Sequence, residues 1–316
     1  MKIVVNLLLA ICSSCLLVAQ REIAFIADTQ KPLELERVMK KNEHNERATD
    51  LLFSFIARRQ PAALFLLGDI VGKGSSQESW KKIDTFLTAL KQNEISYHAI
   101  QGNHEYMFNA KKDKANFRQR FGSFEDNINV QCIDSLAIIM VNSNFSRLSA
   151  GETHAMLARY ALAMDSLQKL TYIESIIVCT HHAPYTNSKV VEPSEKVQQL
   201  IVPKYLSTPK ANLFISGHAH LMEIFRQSGK YFCVIGGGGG IRQDARVGER
   251  QRYSDLSANI THYRYFYCTV QLQHNVLHVS VHGINDGERE ERSEEILSIR
   301  QHKESESKID CDETEK

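Results

Sequence analysis

Short uninterrupted apolar runs alternate with longer stretches of helical spacing along most of this 316-residue chain. The runs "EIAFIAD", "AALFLLGD", "SYHAIQGN", "SLAIIMVNSN", "SIIVCTHH" and "NLFISGHAH" read as strands. Between them, Leu35, Val38, Met39, Leu51, Leu52, Phe55 and Ile56 recur at helical spacing, and so do Trp80, Ile83, Phe86, Leu87 and Leu90. "HAMLARYALAMDSLQKL" is a third helical segment. Strands without polar alternation, separated by helices, predict an α/β fold whose sheet is covered on both faces. After residue 220 the pattern changes to "LMEIFRQ", "YFCVIGG", "YRYFYCTVQLQ" and "NVLHVSVHG". Consecutive strands with short turns predict antiparallel additions or a second packed sheet. No internal repeat is visible. The run Gly236–Gly240 follows a strand and reads either as a flexible loop or as a place of close backbone approach.

The two ends depart from this pattern. Lys2 followed by the mostly apolar Ile3–Ala19 resembles a secretory signal, with a cleavage point after Ala19. An uncleaved anchor is the alternative, since the run is nearly long enough to span a bilayer. Cleavage is preferred because Asn6, Ser13 and Ser14 interrupt it and the next strand begins almost at once, at Ile23. From about Asp286 the chain becomes highly charged, which predicts a solvated or disordered extension. The expected organisation is therefore a signal segment at 1–19, one domain at 20–285 and a charged tail at 286–316, in a periplasmic or secreted protein.

Composition narrows the function classes. A net charge of +1, with 43% hydrophobic and 24% charged residues, gives no reason to expect nucleic acid or an anionic membrane as a partner. Beyond the signal segment lie Cys132, Cys179, Cys233, Cys268 and Cys311, an odd number without a CxxC pair. A thiolate metal site and a disulfide scaffold are both disfavoured. Cys179, Cys233 and Cys268 sit in apolar runs and read as small buried hydrophobes.

The chemistry gathers where the apolar runs end. The ends are Asp28-Thr29-Gln30, Gly68-Asp69, Gly102-Asn103-His104-Glu105, His181-His182 and Gly217-His218-Ala219-His220. Any one of these is more often a turn or a surface pair than a site. Five in order, each at the carboxyl end of a strand, point to a site. Carboxylate, carboxamide and imidazole without thiolate suit hard-to-borderline divalent ions. There are too many for one tetrahedral site. They suit two metals sharing a bridging carboxylate, the arrangement that serves in-line displacement at phosphorus.

With these blocks in order, "ADTQ", "GDIVG", "GNHEY", "THHAPYTNS" and "SGHAH", the chain resembles the calcineurin-like metallophosphoesterase family from about residue 22 to 283. The resemblance implies a four-layer α/β/β/α sandwich. It implies two divalent metal ions (Mn, Fe or Zn), held by Asp28, Gln30, Asp69, Asn103, His181, His218 and His220. Asp69 would bridge both, and the nucleophile would be a metal-bound hydroxide. His104 would face the substrate phosphate as charge stabiliser or acid. Gln30 stands where most of the family has His, a departure shared with manganese-dependent ADP-ribose/CDP-alcohol diphosphatases, and it argues against tightly held Fe³⁺. In the purple-acid-phosphatase-like pattern H-x-P-x-Y, Tyr185 selects His181, whereas Pro184 alone would select His182. Those phosphatases carry a Tyr three residues after the bridging Asp. Gly72 stands there, so no purple colour is expected. The expected function is hydrolysis of a small phosphorylated substrate without stable membrane insertion. The alternative is an inactive binding or scaffold protein on the same fold.

Overall fold

The computed structural model describes residues 21–32, 45–107, 109–122, 127–260 and 263–301. The signal segment, most of the expected tail and the first half of the first helical pattern lie outside the described residues.

Two six-stranded mixed sheets face each other. The first has the order β12(Arg292–Arg300), β11(Val276–Ile284), β10(Tyr265–Gln273), β1(Ile23–Ile26), β2(Ala63–Leu67), β3(Ser96–Ile100). The second has the order β4(Ile128–Ile133), β5(Leu136–Val141), β6(Ser175–Thr180), β7(Ala211–Ser216), β9(Lys230–Ile235), β8(Met222–Gln227). β1, β2 and β3 run parallel, as do β5, β6, β7 and β9. The later strands β10, β11 and β12 add on antiparallel.

The absence of polar alternation now has its cause. Ile23, Phe25, Phe65 and Leu67 point between the sheets, against Ile138, Met140, Ile177 and Ile215 of the other sheet. Their neighbours Ala24, Ile26, Leu64 and Leu66 point outward, under α1(Asn45–Arg59) and α2(Gln77–Gln92). Ala137, Ile139, Ile176 and Val178 point outward under α4(Ala150–Lys169), α5(Glu195–Leu200) and α6(Val202–Ser207). Both strand faces are thus dry, and each large side chain taken out of water contributes about 1.5–3 kcal/mol. A further helix, α3(Ala110–Phe121), follows β3. The layers are α/β/β/α, as expected. Local signals fix the helix starts: Ser76 caps α2, and Ser149 with Glu152 forms a capping box on α4. Cys179, Cys233 and Cys268 are buried in the central layer, as small hydrophobes.

The reading of everything after 286 as a solvated tail is corrected by β12. Residues 292–300 pair with Val276–Gly283 of β11, with one irregularity between Val279 and Ser280. An edge strand needs few apolar side chains, because the ladder satisfies its backbone and its charges find partners. Ile299 is buried against the central layer, Glu295 pairs with His278 at 3.0 Å, and Glu291 just before the strand pairs with Arg59 at 2.9 Å. Gln301 then donates its backbone N–H to Asn275 O at 2.7 Å. The domain therefore extends past 285 to at least Gln301.

Candidate metal centre

The carboxyl ends of β1, β2 and β3 in one sheet and of β6 and β7 in the other meet at one edge of the sandwich. All five polar strand ends read from the sequence arrive there. Asp28 is fully buried and accepts the backbone N–H of His218 at 2.9 Å, which ties the two sheets together at the site. Asp69 is 1% exposed, and its Oδ1 accepts the backbone N–H of His104 at 2.8 Å. Its Oδ2 lies 3.3 Å from His181 Nε2 and 3.9 Å from His104 Nε2. Asn103 Oδ1 lies 3.1 Å from the same His181 nitrogen. His220 Nε2 lies 3.4 Å from Asp28 Oδ1.

The Gln30 amide is satisfied in one orientation. Its NH₂ donates to Asp28 O at 3.1 Å and Asp69 O at 2.9 Å, which puts its oxygen 3.2 Å from His220 Nε2. One ligand atom from each of Asp28, Asp69 and His220 falls within 4.8 Å of the others. His181, His182 and His218 form a second such group. Asp69 joins the two groups through its contact with His181. The structure therefore brings together every residue the sequence proposed as a ligand, with His104 beside them.

The backbone is bent to achieve this. Asp28, Asp69, His218 and His220 all have positive φ, at 60°, 48°, 70° and 48°. Non-glycine residues rarely adopt that region, and each such residue costs on the order of 1 kcal/mol or more. A continuing strand would point alternate side chains to opposite faces. The left-handed turns after β1, β2 and β7 instead fold the side chain back over the sheet edge.

Close approach requires glycine around the site, at Gly102 and Gly240 among others. A Cβ on Gly102 would lie 2.2 Å from Asp69 Oδ1, and one on Gly240 would lie 2.4 Å from His220 Cε1. The five-glycine run is thus a wall of the site rather than a flexible loop. Gly238 and Gly240 donate their N–H groups to Ala27 O at 2.9 Å and Asp28 O at 2.7 Å.

Glu105 is the functional side chain to which the sequence gave no role. It is fully buried and accepts four backbone N–H groups: Asp69 at 2.9 Å, Ile70 at 2.8 Å, Val71 at 3.1 Å and Gly102 at 2.7 Å. Burial, with the charge of Asp69, raises its carboxyl to about 7, and the four backbone donors pull the other way, toward the carboxylate. It clamps the Asp69 turn to the Asn103 turn. Its place directly after Asn103-His104 was the available signal.

The ring nitrogens answer whether these groups fit a metal. His181 Nδ1 lies 2.9 Å from Leu67 O and His220 Nδ1 lies 2.7 Å from Ile241 O. A carbonyl can only accept, so in the neutral ring Nδ1 carries the hydrogen and Nε2 keeps the lone pair. Both Nε2 atoms then face oxygens of Asp28, Asp69, Gln30 and Asn103. With both rings neutral, lone pairs would converge on lone pairs, so each contact needs a cation between its atoms, a proton or a metal ion. Burial opposes charging His181, but the Asp69 carboxylate outweighs it and lifts the imidazole to about 9. Burial likewise opposes the charge on Asp69, and His181, His104 and His218 hold it well below the usual carboxylate range. Burial drives His218 far below its ordinary value, with His181 and His182 adding to the effect.

Residues 21–222 match the family described as calcineurin-like phosphoesterase. The chain belongs to this family. No curated protein sequence matches it. Among solved structures, it is similar to GAP50, the anchor in the inner membrane complex of Plasmodium. The TM-score is 0.63 at 13% identity, over 90% of each chain. It is similar to a purple acid phosphatase from yellow lupin (Lupinus luteus) seeds, with a TM-score of 0.58 at 13% identity, over 86% of this chain and 53% of that one. A dimetal phosphatase from Danio rerio aligns with a TM-score of 0.54 at 13% identity, over 88% of this chain and all of its own. At these identities the likeness is one of fold. No helix among the described residues is long and apolar enough to cross a membrane.

Proposed function

We propose that this metallophosphoesterase hydrolyses phosphate esters or anhydrides of small molecules at a pair of divalent ions. The observation that carries the reading is the convergence of carboxylate, carboxamide and imidazole donor atoms on two adjoining positions joined by Asp69. Asp28, Gln30, Asp69 and His220 would hold the first ion. Asp69, Asn103, His181 and His218 would hold the second. Such a pair activates water and neutralises charge on the attacking and leaving oxygens.

The chain's own residues supply the rest. Gly72 O lies 3.2 Å from His104 Nδ1, so a protonated His104 keeps one N–H on that carbonyl and turns Nε2–H toward the leaving oxygen. Glu105 holds the two turns that carry Asp69, Asn103 and His104 in one geometry. Gly72 stands where a tyrosine ligand would be needed for a purple colour, and it offers only its carbonyl. A cleft of about 440 Å³ begins at Gln30 and Gly72 and runs between α1 and α2, a size that suits the non-reacting part of a small substrate.

The scaffold alternative draws on the likeness to GAP50, an anchor protein, and that likeness is one of fold. The intact donor set and the strain spent in assembling it favour chemistry.

Elemental analysis of the purified protein, beside hydrolysis of p-nitrophenyl phosphate, bis-p-nitrophenyl phosphate and ADP-ribose with added Mn²⁺, tests the reading. About two ions per chain with turnover are expected. Neither metal nor turnover on any of the three would leave the scaffold reading. Loading must also remove the proton that His181 holds up to about 9, so metal affinity should climb as pH rises from 6.5 toward 9 and then level off. An affinity indifferent to pH over that range would take His181 out of the coordination. We further propose that the mature chain is exported, periplasmic or secreted, after cleavage behind Ala19. N-terminal sequencing of the exported protein should read from Gln20, and a retained Met1 would refute cleavage.

A further inference from the structure

The second metal position has one more imidazole than its assigned set uses. The rings of His181, His182 and His218 form a near-equilateral triangle, with centroids 4.9, 5.0 and 4.5 Å apart. One nitrogen from each lies within 4.8 Å of the others. Three imidazoles on one ion, at about 2.0–2.1 Å each, bring their donor nitrogens to within about 3.5 Å of one another. Small ring rotations would close the difference.

His182 is also held as a ligand is held. Ser143 Oγ accepts its backbone N–H at 3.0 Å and lies 2.8 Å from its Nδ1. Thr180 Oγ1 donates to its carbonyl at 2.8 Å. A hydroxyl has two acceptor positions, so Ser143 can take both the backbone N–H and Nδ1–H. That tautomer leaves Nε2 with its lone pair, as in metal-bound histidines whose other nitrogen is held from outside the coordination shell. A substrate-facing donor would need the opposite tautomer, with the Ser143 hydroxyl donating to Nδ1.

We propose that His182 is a ligand of the second metal position, oriented by Ser143. That position then holds three imidazoles with Asn103 and Asp69, while the first holds Asp28, Gln30, Asp69 and the single imidazole of His220. The two are chemically unequal. Nitrogen-rich donors suit Zn²⁺, and oxygen-rich donors suit Mn²⁺. The centre sorts two different ions by donor type. This rests on the two-metal reading above and adds to it a ligand and a metal preference.

The test is to load the full chain with equal Zn²⁺ and Mn²⁺, count both by elemental analysis, and read the zinc environment by X-ray absorption. The wild-type protein should retain about one of each ion, with three imidazoles on zinc. His182→Ala and the bulkier His182→Gln should each show two imidazoles. Their zinc affinity should drop at least about 100-fold, beyond the effect of losing an outer partner, with Mn²⁺ retained. Ser143→Ala, which removes only that outer partner, should weaken zinc about 10–100-fold. An unchanged imidazole count and zinc affinity in both His182 variants would overturn the proposal, even if turnover falls, because His182 would then face substrate. A wild-type protein that takes up neither ion would overturn the two-metal reading itself, and this one with it.

Discussion

Asp69→Asn is expected to abolish hydrolysis and to lower the metal content in the same preparation. Asn preserves the shape of the side chain and an acceptor for the His104 backbone N–H, which Asp69 holds at 2.8 Å. What it removes is the negative charge that faces His181 at 3.3 Å and joins the two ligand groups. With that charge gone, a neutral carboxamide must sit between two dications. Turnover should fall to less than about one-thousandth, and metal stoichiometry should drop from about two ions per chain to one or none. The fold should survive, since the four N–H groups clamped by Glu105 are untouched. Activity assays beside elemental analysis and circular dichroism check all three parts. A variant that keeps both ions and most of its activity would remove Asp69 from the bridging role.

His104→Ala separates chemistry from metal binding. The ring lies 3.9 Å from Asp69 Oδ2, and its Nδ1 is committed to Gly72 O at 3.2 Å. It stands beside the ligand groups rather than within either of them. Turnover should fall by about 100–10,000-fold, the usual contribution of a positioned acid, while metal content stays close to wild type. The loss should be smaller for substrates whose leaving group is already a good one, such as p-nitrophenolate, than for alkyl phosphates. If the substitution instead strips the metal, His104 is a ligand and the assignment of roles is wrong.

Much of this was legible in the residues, and what escaped did so for physical reasons. The runs of β1, β2, β5, β6 and β7 lack polar alternation because both of their faces are dry, so their apolar continuity announced a covered sheet. The candidate donor types stood out because Asp, Asn and His directly after such a run, five times in order, have few structural uses. β12 was missed because an edge strand is held by its ladder and its ion pairs, as with Glu295 on His278 and Glu291 on Arg59, and leaves little apolar signature. Glu105 passed without a role because its four partners are backbone N–H groups, which look the same at every position of a sequence. Tyr185 pointed to His181 and Pro184 to His182, and neither says what each ring touches. The distances place one ring on Asp69 and Asn103 and the other on Ser143.

The sequence by itself determined the fold class, the order of the five site segments and the kind of atom each would contribute. Those follow from side-chain chemistry and from periodicity, both of which are local. Only the tertiary structure decided which atoms meet. It turned Asp28, Asp69, His218 and His220 through left-handed backbone over one edge of the sandwich, packed Gly240 against the His220 ring, and turned Nε2 of His181 and His220 to the site by giving each Nδ1 a carbonyl. Such contacts join residues as far apart in the chain as Asp28 and Gly240. They depend on packing between two sheets that no local pattern encodes.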